Sequence, residues 1–280
     1  MRATPPSCAS RPAPDKQTLP VPTGRPRHAR ERRPDPLPDR DRNRVARAYA
    51  VTAFHPAPRK ILMIGIGSGS WLQVLANSCD VESVTVVEIN PGYLEAMRAS
   101  PVVASGLDHP KSEIIIDDGR RWLASTDRRF DVIIQNTIVF WRAHASNLLS
   151  REYLELTRSR LEPGGIVYLN TTSSTAAQHT AASQFTHAWR YQDMASLSDS
   201  PIGIDLDRWR EALRGWTIDG VPVVDFGRHA TAVDELLSQT HWRGHPTWED
   251  RESILRRTAG EAVITDDNMA SEWWAQATFP

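Results

Sequence analysis

The sequence has only two cysteines among its 280 residues, and it has no apolar run near the ~18 residues that a membrane-spanning helix needs. Cys8 and Cys79 are too few for a disulfide-rich secreted domain, which favours a reducing, cytoplasmic location. The N-terminus is basic but has no apolar stretch of the length found in secretory signals. We therefore exclude a disulfide scaffold and expect no membrane span in the chain.

Charge is balanced over the whole chain, with 33 basic and 34 acidic residues, but it is unevenly distributed. Residues 1–50 have a net charge of +7, half of the 20 prolines lie before residue 40, and all ten tryptophans lie after residue 70. This composition predicts a disordered Pro/Arg-rich tail over residues 1–43 and a globular domain over residues 44–280. The globular part is acidic, which argues against nucleic acid as a partner.

After residue 59, short apolar segments typical of buried strands alternate with segments of helical spacing. The predicted strands are Lys60–Ile64, Ser83–Val87, Glu113–Ile116, Phe130–Ile134 and Ile166–Asn170, with a further one at Ala188–Ser196. The predicted helices are Asn43–Val51, Ser70–Ser78, Pro91–Ala99, Arg120–Ser125, Ser150–Leu161 (with Ser150 as its N-cap), Leu206–Leu213 and Ala232–Leu237. Such alternation predicts an α/β fold, in which helices cover both faces of a mainly parallel sheet.

A glycine-rich loop follows the first predicted strand and leads into a helix. Gly65, Gly67 and Gly69 have the spacing G-x-G-x-G, and glycine lets the backbone approach a ligand closely. The N-terminus of the following helix favours polar or negative groups. Ser70 stands where a dinucleotide fingerprint has its third glycine, so the loop by itself fits a tight turn equally well.

Acidic residues follow the next two predicted strands. Glu88 ends the second strand, 23 residues after Gly65, where a carboxylate can accept hydrogen bonds from both hydroxyls of a ribose. Asp117 and Asp118 end the third strand, where a carboxylate can accept from an adenine amino group. Each acid alone fits a helix cap equally well. Ligands of α/β sheets, however, bind at the carboxyl ends of strands, so the positions together predict a cofactor that carries adenosine.

Residues 60–170 resemble the spermidine synthase (polyamine aminopropyltransferase) family, within the larger class I S-adenosylmethionine-dependent methyltransferase fold. The segments that carry the resemblance are Ile64–Gly69, Val86–Pro91, Gly106–Pro110, Ile116–Arg120, Phe130–Ile134 and Leu161–Gly165. The resemblance implies a Rossmann-like, mainly parallel sheet of seven strands. It also implies that S-adenosylmethionine or its decarboxylated form binds at Gly65, Gly67, Ser68, Gly69, Glu88, Asp118 and Gly119.

Two positions depart from the pattern of the family. Ser68 stands where the glycine loop of the family has an aspartate, and Asn136 aligns with the proposed catalytic aspartate. Aminopropyl transfer needs a base that takes a proton from the attacking amine, and the amide of Asn136 cannot act as one. In addition, the tail stands where the family has a small β-sheet domain. The resemblance therefore predicts cofactor binding and leaves the acceptor open.

The segment after the fourth predicted strand has cationic, aromatic and titratable side chains together. His144 is the candidate general base, because the ordinary pKa of histidine, ~6.5, suits proton abstraction near neutral pH. Arg142 can bind a carboxylate through two parallel hydrogen bonds, and Trp141 can stack on a cationic substrate. A surface histidine and a surface ion pair fit His144 and Arg142 equally well. The predicted catalytic residues are Asn136, Arg142 and His144.

Two other polar clusters are weaker candidates. His241 and His245 are four residues apart, but Gly244 and Pro246 disfavour the helix that such a zinc pair would need. The acidic stretch Thr265–Asn268 has groups that suit a metal ion or an amine, although a capped turn is the stronger interpretation. We therefore predict no metal site.

Three functions are compatible with the sequence. The first is a spermidine synthase-like transferase that uses S-adenosylmethionine or decarboxylated S-adenosylmethionine and acts on a small amine-type acceptor, of which polyamines are one class. The second is a small-molecule methyltransferase, which the residues Ser68 and Asn136 favour. The third is a cofactor-binding domain without catalysis. The sequence leaves the acceptor and the oligomeric state open, and a homodimer is compatible with it.

Overall fold

The computed structural model describes residues 46–136, 146–242 and 244–268. The strands are β1 Lys60–Ile64, β2 Ser83–Glu88, β3 Ser112–Ile116, β4 Phe130–Gln135, β5 Leu161–Asn170, β6 His187–Tyr191, β7 Met194–Ser198, β8 Thr217–Ile218, β9 Val221–Pro222, β10 His241–Trp242, β11 His245–Pro246 and β12 Trp248–Asp250. The α-helices are α1 Ala46–Tyr49, α2 Val51–Phe54, α3 Ser70–Ala76, α4 Gly92–Arg98, α5 Gly119–Ser125, α6 Arg151–Ser159, α7 Thr175–Gln184, α8 Leu206–Gly215, α9 Phe226–Ser238 and α10 Arg251–Arg257. Over the described ranges, no helix has both the length and the apolar character to cross a membrane.

The main sheet has eight strands in the order β3-β2-β1-β4-β5-β7-β6-β12. The first five of these pair in parallel, whereas β7 runs antiparallel to both β5 and β6, and β12 runs antiparallel to β6. The predicted α/β fold with a mainly parallel sheet is confirmed. The three-residue strand β12 adds an eighth strand to the seven that the family resemblance implies.

Helices cover both faces of the sheet, and each face has its own hydrophobic core. On β4, Val132 and Ile134 belong to the core under α1, α3, α8 and α9, while Ile133 belongs to the core under α5, α6, α7 and α10. This division follows from the alternation of side chains along a strand. Because both faces are buried, the central strands are continuous apolar runs, which is the pattern that made them predictable.

The helix α6 begins where the sequence predicts it. The side chain of Ser150 accepts a hydrogen bond from the backbone amide of Tyr153 at 3.2 Å, so the predicted N-cap is confirmed. The helix ends at Ser159, and β5 begins at Leu161, five residues before the predicted start of that strand.

One predicted element is wrong. The single strand expected at Ala188–Ser196 is an antiparallel hairpin of β6 and β7, whose residues pair from His187 with Ser198 to Tyr191 with Met194. Gln192 and Asp193 form the two-residue turn, and the φ of Gln192 is 55°. Positive φ is what tight hairpin turns require, but glutamine is not one of the residues that usually supply it. Because the usual turn residues are missing here, a chain reversal could not be predicted at this point.

The predicted tail, residues 1–43, lies outside the described residues. We expect that deleting residues 1–42 will leave the melting temperature nearly unchanged, because this Pro/Arg-rich stretch has too few apolar residues to contribute to a hydrophobic core. Scanning calorimetry of the full-length and shortened chains tests this. A melting temperature lower by more than ~4 °C, which corresponds to about 1 kcal/mol or more at this size, would show that the tail packs on the domain.

Candidate nucleoside-binding site

The predicted cofactor residues lie along one edge of the main sheet, at the carboxyl ends of β1, β2 and β3. The strand β1 pairs with β2 up to Ile64 and Val87, and β2 pairs with β3 up to Glu88 and Ile116. Neighbouring strands are ~4.8 Å apart, so the glycine loop and the acids after β2 and β3 form a row. The strand β4 continues the row on the other side of β1 and is followed by Asn136.

Two residues of the glycine loop have open space beside them within the described part of the chain. Gly65 and Gly67 have φ values of +83° and +55°, and a Cβ atom built on either would meet no atom of the described residues within 4 Å. This left-handed conformation favours glycine. Gly69 and Gly119 are different, because a Cβ atom there would lie 2.1 Å from Cε of Met97 and 2.5 Å from Cγ2 of Ile64, respectively. The first two glycines thus shape a free surface, and the other two permit close packing.

Glu88 holds the glycine loop against the end of β2. Its side chain is buried, Oε2 accepts a hydrogen bond from the backbone amide of Ile66 at 2.7 Å, and Oε1 accepts one from the amide of Asn90 at 2.8 Å. A carboxylate has about four lone-pair sites, so each oxygen can still accept from a further donor. The group is therefore both fixed in position and able to bind a pair of ribose hydroxyls.

Asp118 is the N-cap of α5, and its Oδ1 accepts from the backbone amide of Arg121 at 2.8 Å. Its Oδ2 has no hydrogen-bond partner within the described ranges. Two apolar side chains nearby are exposed, Ile89 by 67% and Ile116 by 47%. Exposed isoleucines at the ends of β2 and β3, together with a carboxylate oxygen that can still accept, suit a purine with an amino group. Ile89 and Ile116 were not predicted as site residues, although their position next to the acidic strand ends in the sequence was a usable signal.

The end of β4 has a pair of amides where the family has its catalytic aspartate. Nδ2 of Asn170, the last residue of β5, donates to Oδ1 of Asn136 at 2.9 Å. Oδ1 of Asn170 in turn accepts from the backbone amide of Thr172 at 2.9 Å. Amides do not take up a proton near neutral pH, so this pair can orient an acceptor amine but cannot deprotonate it. The predicted residues Trp141, Arg142 and His144 lie outside the described residues.

The remaining predicted residues have local roles. The hydroxyl of Ser68 donates to Oγ of Ser70 at 3.2 Å. Thr265 to Asn268 form the predicted turn, in which the amide of Thr265 donates to Oδ1 of Asn268 at 3.0 Å. Within the described ranges, no group of three or more histidine, cysteine and acidic side chains could hold a metal ion.

Asp266, in the same turn, ties the C-terminal part of the described chain to α5 and α6. Nη1 of Arg120 donates to its Oδ1 at 2.7 Å, and the hydroxyl of Ser150 donates to the same oxygen at 2.6 Å. The hydrogen bond from Arg120 is the main cause that holds the pKa of Asp266 below its ordinary value, although partial burial opposes it. Asp266 thus has a structural role beside the N-cap of α6.

The strand order, the glycine loop after β1 and the buried carboxylate after β2 define an α/β domain of the class I methyltransferase type. The chain belongs to the spermine/spermidine synthase family, because the family model described as "Spermine/spermidine synthase domain" matches residues 48–192.

Curated relatives match part of the chain. The chain is 40% identical to a spermidine synthase of Dictyostelium discoideum over an alignment of 114 residues. This alignment covers 40% of each chain. The chain is 41% identical to a polyamine aminopropyltransferase of Thermococcus kodakarensis over an alignment of 93 residues, which covers 31% of this chain and 32% of that one. The chain thus spans about 40% of the length of the first of these relatives and less of the second. A crystal structure of a spermidine synthase in complex with the transition-state analogue AdoDATO aligns with a TM-score of 0.48 and 22% identity, over 60% of this chain and 61% of that one.

We expect the substitution Glu88→Ala to weaken binding of methylthioadenosine by about 1.5–3 kcal/mol, the range for a hydrogen bond to a charged group. Isothermal titration calorimetry of the two proteins measures this. Glu95→Ala removes an exposed carboxylate from α4 and is the matched control, for which we expect no change. The melting temperature is measured alongside, because Glu88 also binds the amides of Ile66 and Asn90. Unchanged affinity in a folded Glu88→Ala protein would rule out the ribose assignment.

Proposed function

We propose that the domain transfers an aminopropyl group from decarboxylated S-adenosylmethionine to a small amine acceptor. The observation that carries the proposal is the buried Glu88, fixed at the end of β2 with lone pairs still available beside an open glycine loop. Family membership supports the class of donor, and the row of strand ends supports its placement.

The residues along the sheet edge suit the successive parts of such a donor. Asp118 and the exposed side chains of Ile89 and Ile116 would hold the adenine, and Glu88 would hold the ribose. Gly65 and Gly67 leave room for the sulfur-bearing arm, because no atom of the described residues lies within 4 Å of a Cβ atom built on either. Three strand spacings separate β3 from β4, which gives a row of roughly 14 Å that ends at Asn136.

The donor, when bound, supplies a carbon activated by a sulfonium group: the acceptor nitrogen bonds to this carbon, the carbon–sulfur bond breaks, and its electron pair stays on sulfur. The protein must provide an uncharged amine, since an ammonium ion has no lone pair. Asn136 and Asn170 lie at the end of the row, where the amide oxygen of Asn136 can accept an amine N–H and orient the nitrogen. We infer that the proton goes to another group, and His144 is our candidate for that base.

Methyl transfer from S-adenosylmethionine to a small acceptor is the second candidate function. One observation favours it: an uncharged amide pair occupies the place at which the family has an aspartate, so the charge that would attract a cationic amine is missing there. A domain that binds the nucleoside without catalysis is the third candidate.

Product analysis by mass spectrometry tests these functions against one another. The full chain is incubated with either donor and with a panel of small amines. We expect the acceptor to gain one aminopropyl group from the decarboxylated donor, with release of methylthioadenosine. Methylated products, formed only with S-adenosylmethionine, would instead assign methyl transfer. Tight nucleoside binding without any product would assign a binding domain.

A further inference from the structure

A cavity of about 290 Å³ lies beyond the carboxyl end of β5, where Ser173 is one of its lining residues. Its lining includes Ser173, Gln178, Arg190, Asp193, His245 and Arg257, which come from the start of α7, the β6–β7 hairpin, β11 and the end of α10. Asn170 pairs with Met194 at this edge, and the backbone amide of Thr171 donates to the carbonyl oxygen of Asp193 at 2.8 Å. The cavity therefore lies at the same edge of the sheet as the amide pair at the ends of β4 and β5.

Among the described residues that line the cavity, two are arginines and one is an aspartate. Nε of Arg257 donates to Oε1 of Glu249 at 2.9 Å, and its Nη2 donates to Oε2 at 2.7 Å. Nε of Arg190 also donates to Oε2 of Glu249, and the Arg190 side chain is only 4% exposed. Two guanidinium groups thus share one carboxylate. Burial would raise the pKa of Glu249, but the hydrogen bonds and charges of both arginines outweigh it and hold that pKa below its ordinary value.

Asp193, the carboxylate that lines the cavity directly, is already compensated. Its Oδ2 lies 3.2 Å from Nη2 of Arg47, and the two side chains are 3% and 1% exposed. Its Oδ1 accepts from the hydroxyl of Ser173 at 2.9 Å. An ammonium group would need a carboxylate that has no cationic partner. Among the residues that the structure describes, the cavity offers none.

Arg257 has a hydrogen-bonding group to spare. Its Nε and Nη2 bind Glu249, and Nη2 also donates to Oε1 of Gln178 at 2.7 Å. Its Nη1 has no hydrogen-bond partner in the described part of the chain. His245 lines the same cavity, whereas the hydroxyl proton of Ser173 is already donated to Asp193. The free Nη1 of Arg257 suits the oxygen atoms of a carboxylate, which accept hydrogen bonds from guanidinium groups with favourable geometry.

The backbone beside the cavity adopts conformations that non-glycine residues seldom adopt. Thr172, Ser173 and Gln192 have φ values of 55°, 67° and 55°, and they are three of the four such residues in the described ranges. Backbone strain of this kind is concentrated at binding sites in proteins. The unusual backbone conformations therefore support a binding role for the cavity.

We propose that this cavity binds a carboxylate group of the acceptor, so that the acceptor is an amine with a carboxylate at its far end. A diamine acceptor would instead place its second ammonium group in the cavity. There it would face Arg257 and Arg190, and no described carboxylate without a cationic partner. This inference rests on the proposed transfer function for the role of the amine, whereas the binding of a carboxylate in the cavity stands on the cavity itself.

Three probes with the same five-carbon chain test the proposal: 5-aminopentanoate, 1-aminopentane and 1,5-diaminopentane. Their affinities for the full chain are measured by calorimetry, with and without methylthioadenosine. We expect 5-aminopentanoate to bind at least tenfold more tightly than the other two, since a hydrogen bond to a charged group has about that effect. With the decarboxylated donor, mass spectrometry should show it as the preferred acceptor.

The substitution Arg257→Gln should weaken binding of 5-aminopentanoate roughly ten- to a hundredfold and leave 1-aminopentane unchanged. Arg257→Lys keeps the charge but not the guanidinium group, and it should lose less affinity than Arg257→Gln, which separates the loss of charge from a loss of folding. Arg256→Gln is the matched control, because Arg256 is exposed on the same helix and donates to Ser253 instead. For this control we expect no change.

The outcomes separate the cavity from the transfer reaction. A preference for 1,5-diaminopentane, no effect of Arg257→Gln in a folded protein, or no binding of 5-aminopentanoate at millimolar concentration would overturn the carboxylate site, and aminopropyl transfer could still stand. Binding that depends on Arg257, without any aminopropyl product, would support the carboxylate site and contradict the proposed function.

Discussion

The substitution His144→Ala should lower the maximal rate of aminopropyl transfer by roughly 10²–10⁴, which is the usual contribution of a positioned general base. The reason lies at the end of β4, where Asn136 is hydrogen-bonded to Asn170 and cannot take a proton. Another group must then accept the proton of the amine, and His144 is eight residues further along the chain. Steady-state kinetics with saturating donor measures the effect.

Affinity for the donor should change little in this variant, because the adenosine groups are assigned to Glu88 and Asp118. The profile of rate against pH provides a second readout: the limb that reports an ionisation near the ordinary histidine pKa of ~6.5 should be lost. His241→Ala, which removes an exposed histidine from β10, is the matched control. An unchanged maximal rate in a folded His144→Ala protein would exclude His144 as the base.

The substitution Asn136→Asp should raise the kcat/KM for diamine acceptors by roughly ten- to a hundredfold. A carboxylate at this position attracts an ammonium group and can accept its proton, and a hydrogen bond between charged groups is worth about 1.5–3 kcal/mol. The change is nearly isosteric, and Nδ2 of Asn170, which now donates to Oδ1 of Asn136 at 2.9 Å, can donate equally to a carboxylate. The site should therefore accommodate the new charge.

Initial rates with 1,4-diaminobutane and with a simple monoamine measure this gain. Asn77→Asp makes the same chemical change at the end of α3 and is the control, for which we expect no gain. If Asn136→Asp gives no increase with diamines while the protein still binds methylthioadenosine, the end of β4 is not the place at which the acceptor amine lies.

The first five strands could be predicted because their pattern is local. Runs such as Ile61–Ile64 are apolar throughout and are buried on both faces, so composition alone distinguishes them. The helix α7 could not be predicted in the same way. Its sequence of alanine with threonine, serine, glutamine and one histidine has almost no contrast between an apolar and a polar face, and Ala177, Ala181 and Ala182 are buried although they are small. It is fixed by packing on the sheet, with Ser174 as its N-cap.

The hairpin of β6 and β7 and the cavity beside it were missed for a different reason. Arg190 is a buried cation in a strand, which is compatible with the fold only because Glu249 lies beside it, 59 residues further along the chain. A pairing over this distance leaves no local pattern in the sequence. The cavity likewise combines residues from 173 to 257, which are brought together by the sheet order rather than by spacing.

The residues of the proposed nucleoside site, in contrast, could be placed from the sequence. They follow three neighbouring strands of a parallel sheet, so the spacing from the glycine loop to Glu88 and on to Asp118 was enough to predict that they lie on one edge. The spacing could not predict the hydrogen-bond partners of each carboxylate. Glu88 binds the amides of Ile66 and Asn90, and Asp118 caps α5. These bonds became visible only with the fold.

A crystal structure of the full chain with methylthioadenosine tests the nucleoside site most directly. We expect the ribose hydroxyls within hydrogen-bond distance of the Glu88 carboxylate, the adenine between Ile89 and Ile116 with its amino group at Oδ2 of Asp118, and the sulfur above Gly65 and Gly67, on the side of Asn136. A nucleoside bound elsewhere on the protein, or none bound at this edge at saturating concentration, would contradict the assignment.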